Sequence, residues 1–316
     1  MDWFSAGGNG PVIAVRAIHF AATSITAGSL IFATLVARPA LQAEARLFRA
    51  RTRWVAWIGL AIAAASGVFW FLFQAVSMSG LPLDEAMKLD VLSTVLNQTQ
   101  FGEVSEMRIA LAIILAACLA CHRLPMADWL GLATALGLTA GLAWAGHAGS
   151  TLGDMGSLHL TADGLHLLAA AAWIGGLVSL VLLLVGAQRN QTIASASFAR
   201  HAVGRFSALG VVSVATLLAT GTVNTWILVG SFHALVVTEY GRLLMVKMVA
   251  FAVMLAFAAF NRLWLTPRLV SSSGNEPRLA ALHQLARNSM VEIALGLVIF
   301  AIVGLLGTLH PAIHLL

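Results

Sequence analysis

The sequence predicts an all-α polytopic membrane protein, a bundle of about eight transmembrane helices with both termini on the periplasmic side. Composition is the first reason: 59% of the 316 residues are hydrophobic and only 10% are charged, whereas soluble domains are roughly 25% charged. The mean hydropathy is +0.90. A soluble chain so poor in charge would expose large apolar patches, so the expected solvent is lipid.

Apolar runs of spanning length are the second reason. Four long runs predict helices at 12–36, 54–76, 163–187 and 206–229. Shorter runs predict four more at 106–122, 127–145, 242–261 and 291–309, and Pro125 and Pro267 mark breaks after the first and third of these. No repeat or soluble segment interrupts the series, so residues 1–316 are expected to form a single transmembrane domain.

The distribution of basic residues is the third reason, because short loops rich in Lys and Arg stay on the cytoplasmic side. In an eight-helix arrangement the even-numbered connections, 77–106, 146–162 and 230–240, contain Lys88 as their one basic residue. The odd-numbered connections contain thirteen of the 18 basic residues: Arg38, Arg46, Arg49, Arg51, Arg53, Arg123, Arg189, Arg200, Arg205, Arg262, Arg268, Arg278 and Arg287. The alternation predicts that the even-numbered connections face outward.

Several function classes are excluded by the same patterns. The net charge is +5, but the arginines lie between apolar runs instead of on a soluble face, so the expected partner is the lipid bilayer and not nucleic acid. No P-loop, nucleophile elbow, dinucleotide fingerprint or metalloprotease helix occurs, which argues against an enzyme and against ATP-driven pumping. Acidic residues between 84 and 90 in the longest outer connection predict a short interfacial helix.

Histidines concentrate on the predicted outer side, which holds seven of the 10. The densest stretch runs from Gly146 to His166, where imidazole, carboxylate and thioether groups occur together. Imidazole with thioether favours copper, since zinc sites rarely recruit methionine. The candidate metal ligands are His19, His147, Met155, His159, Asp163, His166, His233, His310 and His314. For any single histidine the alternative is a solvated ring or one that bonds a nearby carbonyl.

Polar residues at membrane depth suggest a permeation path through Asn224, Lys247 and Glu292. Each of these three residues could instead have a structural role, as could Arg108, a fourth polar residue at membrane depth. Lys247 and Arg108 could snorkel to the outer surface. Glu292 could pair with Arg287, and Asn224 could bond across helices.

Cys118 and Cys121 precede His122 in the pattern of covalent haem attachment. The motif lies at the predicted cytoplasmic end of the third helix, on the wrong side for c-type haem, so haem is not expected there. A thiolate pair could instead receive Cu(I) as an inner acceptor. The default interpretation is a structural role for both cysteines.

The chain resembles the CopD copper-resistance membrane proteins of bacteria over most of its length. The resemblance lies in Gly146-His147-Ala148, in Asp163-Gly164-Leu165-His166 leading to Trp173-Ile174-Gly175-Gly176-Leu177, in Arg205-Phe206-Ser207, in Thr220-Gly221-Thr222-Val223-Asn224, in Tyr240-Gly241-Arg242-Leu243-Leu244 with Lys247, in Asn261-Arg262 with Pro267, in Glu292, and in Pro311 with His314. It implies a protein of the bacterial inner membrane that moves copper inward. It also implies a separate periplasmic copper-binding partner of the CopC type.

Three functions are therefore consistent with the sequence. A copper permease would capture the ion on the outer histidines and pass it inward. A membrane b-type cytochrome would hold haem between histidines such as His19 and His166. A copper chaperone or assembly factor would bind the metal without transporting it.

Overall fold

The structure is a computed structural model that describes residues 10–37, 43–124, 126–271 and 275–314. Side chains are described at all of these positions except 43–45, 270–271, 275 and 314. Throughout these ranges the regular structure is helical, without a β-strand. The predicted all-α class is thereby confirmed.

The helices follow one another with short connections. They are α1 (Gly10–Ile31), α2 (Ala43–Ser79), α3 (Leu83–Ala86), α4 (Leu89–Gln98), α5 (Gln100–Ala120), α6 (Ala127–Ala140), α7 (Gly153–Ala170), α8 (Gly176–Asn190), α9 (Ile193–Val229), α10 (Phe232–Val237), α11 (Glu239–Phe260), α12 (Thr266–Ser271) and α13 (Asn275–Leu306). Short 3₁₀ turns cover Gly141–Ala145, His147–Ser150 and Ala312–His314. Wider π-helical turns at Phe32–Ala37, Ala171–Gly175 and Asn261–Leu265 follow α1, α7 and α11 without a break.

Six of the described helical segments are long and apolar enough to cross a membrane. They are Gly10–Ala37, Arg46–Ser79, Gly153–Asn190, Ile193–Val229, Glu239–Leu269 and Glu276–Leu306. The other two predicted spans correspond to α5 and α6. Glu103, Glu106 and Arg108 all lie near the start of α5, and α6 is only 14 residues long. These features separate the two helices from the other six.

The helix predicted at 163–187 begins ten residues earlier than expected. In the structure α7 starts at Gly153, a glycine with a φ of 69°, and continues through the π-turn into α8. Asp154, Ser157 and Thr161 lie on an exposed face of this helix, while Gly156, His159 and Ala162 are buried. The predicted connection over 146–162 is therefore helical from Gly153 onward, because these polar residues lie on the exposed side of a helix and not in a loop.

The acidic stretch between 84 and 90, predicted as one short helix, forms parts of α3 and α4. The two helices are separated at Met87 and Lys88, where the chain turns. Thr99 then closes the segment, since its hydroxyl accepts a hydrogen bond from the backbone N–H of Gly102 and caps α5.

Helix α1 lies at the centre of the bundle and packs against α2, α6, α8 and α13. Its closest approach is to the π-turn at Ala171–Gly175. A Cβ at Gly28 would collide with the backbone of Ala171 and Gly175, and a Cβ at Gly175 would collide with the carbonyl of Ser24. Glycine at both positions lets the two backbones touch, as is typical of membrane helix contacts.

Candidate functional site

A cavity of about 570 Å³ lies between α1, α7, α9, α11 and α13. Most of its wall is apolar. Its titratable lining residues are Arg16, His147, His159, Asp163, His166, Tyr240 and Lys247, and Asn224 also lines it. We call this space the histidine cavity.

The helix ends explain why these residues meet. His159, Asp163 and His166 lie in the first half of the continuous helix Gly153–Asn190 that α7 begins, and Lys247 lies in the first half of α11. Asn224 lies near the end of α9. In an antiparallel bundle the beginnings of α1, α7 and α11 lie at the same end as the terminations of α9 and α13. One end of the bundle therefore gathers residues that are far apart in the sequence.

The ring of His159 is oriented by a threonine. Its Nδ1 lies 2.9 Å from the hydroxyl of Thr151. Since that hydroxyl donates to the carbonyl of His147 at 3.2 Å, it accepts from the Nδ1–H of His159. Nε2 of His159 then carries a lone pair, and no described residue donates a hydrogen bond to it. This buried ring, only 1% exposed, presents the form of imidazole that binds a metal.

The ring of His166 is held in the same way by another threonine. Its Nδ1 lies 3.0 Å from the hydroxyl of Thr220 on α9, which donates to the carbonyl of Thr216 at 2.6 Å. The hydroxyl therefore accepts from Nδ1–H, and Nε2 is again the nitrogen with the lone pair. Fixing one ring nitrogen with a hydrogen bond orients the other, as in metal sites where an outer partner sets the tautomer.

Asp163 is one turn before His166 and is connected to two other helices. The side-chain amide of Asn224 donates to Oδ1 of Asp163 at 3.1 Å. The ammonium group of Lys247 interacts electrostatically with both Asp163 and His166. Asn224 thus does bond across helices, and Lys247 points into the bundle instead of snorkelling.

His147 lies at the edge of the cavity, in the 3₁₀ turn before α7. Its Nε2 is 3.2 Å from the carbonyl of Leu306, at the end of α13. Its ring meets the ring of Tyr240 edge to face, with centroids 6.1 Å apart, and it interacts electrostatically with His159. The imidazoles of His147 and His159 therefore lie near each other in the wall of the histidine cavity.

His19 lies outside the histidine cavity, and both of its ring nitrogens have protein partners. Nδ1 is 3.0 Å from the hydroxyl of Ser66, which donates to the carbonyl of Ile62. Nε2 accepts a hydrogen bond from the guanidinium of Arg108 at 2.6 Å. The ring also packs edge to face on Trp70. Arg108 is turned into the bundle and does not snorkel outward.

Three other candidate ligands do not line the cavity. Met155, His233 and His310 are exposed, and the side chain of His314 lies outside the described residues. Among the described side chains, no three from His, Cys, Asp and Glu stand close enough to hold one metal ion together. The cavity offers separate ligand groups along its wall and not a preformed coordination sphere.

Glu292 on α13 lies deeper, in a second polar cluster where two π-turns converge. Its Oε1 accepts a hydrogen bond from Asn261 at 2.7 Å, and Asn288 donates to Asn261 at 2.8 Å. Trp173 completes the cluster with a hydrogen bond to Glu292 and also lines the histidine cavity. Asn261 and Trp173 belong to the π-turns after α11 and α7, and such turns are frequent at functional sites. Trp173 therefore separates the cavity from a carboxylate that is only 2% exposed.

The two cysteines differ in their surroundings. Cys118 is buried in α5, whereas Cys121 is exposed just after the helix ends. The backbone N–H of Cys121 still donates to the carbonyl of Ala117, so the two cysteines stay one helical turn apart.

Several residues that shape the site were not singled out from the sequence. Thr151 and Thr220 orient the two cavity histidines, and Trp173 and Asn261 hold Glu292. Arg16 also lines the cavity and was not among the candidate residues. A charge seven residues into an apolar helix was a signal for Arg16, but ordinary threonines carry no such signal.

Comparisons with known proteins agree with the fold. A family profile for Copper resistance protein D matches residues 200–306, and one for the Copper resistance protein D-like N-terminal domain matches residues 8–157. Copper resistance protein D of Pseudomonas syringae pv. tomato is 29% identical over 269 residues, covering 84% of both chains. Inner membrane protein YebZ of Escherichia coli K12 is 28% identical over 306 residues, covering 95% of this chain and 98% of YebZ.

Copper transport protein CutJ of Bacillus subtilis is 28% identical over 253 residues, which cover 78% of this chain and 45% of CutJ. No solved structure matches. The apolar helices and these relatives define a multi-pass protein of the bacterial inner membrane. Within that class, the chain belongs to the CopD family of copper-resistance proteins, because the two profiles together cover most of its length.

Proposed function

We propose that this protein carries copper ions across the bacterial inner membrane, in the inward direction, and so contributes to copper homeostasis. The observation that carries the proposal is the histidine cavity, whose wall presents Nε2 of His159 and of His166 with no donor from any described residue. Imidazole nitrogens of this kind are good ligands for copper. Family membership and relatives named for copper resistance and copper transport support the same cargo.

The separation of the ligands favours transport over permanent binding. A carried ion must bind strongly enough to enter and weakly enough to leave. His147, His159, Asp163 and His166 all line the cavity, yet no three described ligand groups stand close enough to share one ion. Such an arrangement can pass an ion from one imidazole to the next without trapping it in a closed shell.

The inner part of the path leads through Asn224 and Lys247 to Glu292. Lys247 interacts with Asp163, so an arriving cation competes with an ammonium group for the same carboxylate. Beyond it, Trp173 forms the boundary with the Glu292 cluster. Rotation of the Trp173 indole would connect the cavity to that carboxylate. Further inward, Cys118 and Cys121 are candidate acceptors for Cu(I).

We further propose that α5 and α6 also span the membrane, which gives eight transmembrane helices in a single domain with both termini periplasmic. The positive charge of Arg108 in α5 is then explained by burial, since Arg108 bonds His19 inside the bundle. Under this topology the histidine cavity opens to the periplasm, where a CopC-like protein could deliver copper. Alkaline phosphatase fused after Leu316 should be active, and inactivity of that fusion would contradict the orientation.

Transport is tested in proteoliposomes that enclose a Cu(I) indicator. The wild type should accumulate copper, and the double variant His159→Ala/His166→Ala should lose most of the flux. The double variant His233→Ala/His310→Ala is the matched control, because it removes two exposed histidines. Equal flux in both double variants would contradict a path through the cavity. Copper binding without flux above empty liposomes would instead indicate a chaperone.

A haem protein is the remaining alternative, and the structure offers it little support. His19 and His166 do not face one space, because only His166 lines the histidine cavity. Nε2 of His19 is already bonded to Arg108. The purified protein should therefore show no Soret band, and a band that disappears with His166→Ala would establish haem.

A further inference from the structure

Arg16 presents a buried positive charge to the histidine cavity. It is the seventh residue of α1, is only 7% exposed and lines the cavity wall. Its guanidinium lies over the ring of Trp70, 4.8 Å from the centroid. Buried charges in membrane proteins normally pair with an opposite charge or with backbone carbonyls.

No such partner reaches Arg16 from the described part of the chain. Its Nε is buried without a hydrogen-bond acceptor, and no hydrogen bond or ion pair from a described residue reaches the rest of the group. The contact with Trp70 contributes about 2 kcal/mol but satisfies no N–H donor. Five donors therefore face an apolar wall and the cavity.

The end of α13 lies beside Arg16 but does not satisfy it. A Cβ at Gly307 would collide with the Arg16 guanidinium, which shows how closely the two approach. The carbonyl of Leu306 already accepts from Leu309 and is bonded to His147, and that of Leu305 accepts from Thr308. The helix end thus supplies only its partial negative charge.

The charges that line the cavity do not balance among the described residues. Arg16 and Lys247 are cationic, and Asp163 is the one carboxylate. Asp163 interacts with Lys247, so no described carboxylate remains as a counter-ion for Arg16. An uncompensated guanidinium in a low-dielectric site would attract an anion from solution.

We propose that Arg16 binds a small monovalent anion in the histidine cavity, next to the edge formed by His147. A halide or a small carboxylate has the required chemistry, because either accepts several N–H donors from one side. The anion offsets the charge of Arg16 and so lowers the electrostatic cost of bringing a cation to the neighbouring imidazoles. The site exists without copper and is tested without it.

The experiment measures thermal unfolding of the purified, metal-free protein by tryptophan fluorescence at constant ionic strength. Sodium gluconate, whose anion is bulky, is replaced stepwise by sodium chloride or by sodium formate. Wild-type Tm should rise in saturable fashion, because a ligand that binds only the folded state stabilises it by mass action. Chloride and formate are run separately, so the more effective anion is identified.

Arg16→Gln should abolish the anion-dependent rise in Tm. Arg242→Gln is the control: it removes an exposed arginine from α11 and should keep the full rise. Because Arg16→Gln could impair folding, Gly307→Ala is the second variant. It retains the arginine but displaces its guanidinium, so it should shift the midpoint of the anion titration to higher concentration.

Line broadening of chloride in ³⁵Cl NMR gives an independent readout at one temperature. Wild type and Arg242→Gln should broaden the line, and addition of bromide should reverse the effect. The proposal would be overturned if the wild-type Tm did not change when gluconate is replaced by chloride or by formate. It would also be overturned if Arg16→Gln kept the wild-type rise in Tm. Failure of copper transport leaves these measurements unaffected, so the two proposals fail separately.

Discussion

Arg108 on α5 donates a 2.6 Å hydrogen bond to Nε2 of His19 on α1. His19, His159 and His166 all donate Nδ1–H to a hydroxyl that itself bonds a backbone carbonyl. They differ at the other nitrogen, which is bonded in His19 but has no donor among the described residues in His159 and His166. The neighbours of a histidine thus decide whether both ring nitrogens are bonded within the protein or one of them faces the cavity.

His19→Gln should leave copper flux close to that of the wild type. The glutamine amide can still accept from Arg108, so the buried guanidinium keeps its partner. His166→Gln is the matched change in the cavity and should reduce flux strongly, since an amide is a poor ligand for copper. Flux lost equally in both variants would assign His19 to the copper path.

His19→Ala should lower stability more than Arg108→Met does. The alanine leaves a charged donor without an acceptor, which typically costs about 1–3 kcal/mol or more, and it also removes the ring that packs on Trp70. The methionine removes the charge itself. Thermal unfolding in detergent compares the two, and a larger loss of Tm in Arg108→Met would contradict this account.

Thr220→Val should weaken copper binding by roughly 10-fold to 100-fold, the usual effect of losing a group that orients a ligand. The valine has the same shape but cannot hold Nδ1–H of His166. Thr220→Ser keeps the hydroxyl and should restore affinity. Thr161→Val is the control, because Thr161 is exposed on the helix that carries His166, does not line the cavity, and its hydroxyl bonds only a backbone carbonyl. Competition with a Cu(I) chelator measures the affinities.

Glu292→Gln should slow transport about 10-fold or more, equivalent to about 1.4 kcal/mol of lost stabilisation along the path. The amide preserves the volume and can still accept from Asn261, but it removes the negative charge. Copper affinity at the histidine cavity should be unchanged. Glu239→Gln, at an exposed position on α11, should transport normally. Reduced affinity with normal turnover would place Glu292 in the binding step instead.

Gly28→Ala should destabilise the protein by about 1–3 kcal/mol, the usual cost of overpacking. Its new Cβ would meet the backbone of Ala171 and Gly175, which cannot move aside as a side chain can. Gly210→Ala is the matched control, because open space surrounds that position in α9. It should be neutral or slightly stabilising, since alanine favours the helix. Equal Tm values for the two variants would contradict the close contact.

The membrane class and the helical fold could be predicted because they depend on local properties. Hydropathy and run length identify apolar helices whatever those helices pack against. The boundaries of the helices were harder to predict from the sequence. The start of α7 was missed because Asp154, Ser157 and Thr161 look like loop residues until the buried positions between them are known.

The roles of individual polar residues could not be predicted in the same way. His19 and His166 both lie within apolar segments, and nothing in their local sequence distinguishes a bonded ring nitrogen from one that faces a cavity. The distinction comes from Arg108, which is 89 residues away from His19, and from Thr220, which is 54 residues away from His166. Glu292 likewise has its partner Asn261 31 residues away, although the neighbouring Arg287 was considered first.

The sequence by itself determined the solvent of this protein, its helices and the family to which it belongs, because composition, run length and short motifs act locally. The tertiary structure alone decided which histidines line the cavity and which ring nitrogen each one presents. It also left Arg16 without an acceptor among the described residues. These outcomes depend on hydrogen bonds and charges between distant helices, and such interactions exist only once the helices have packed.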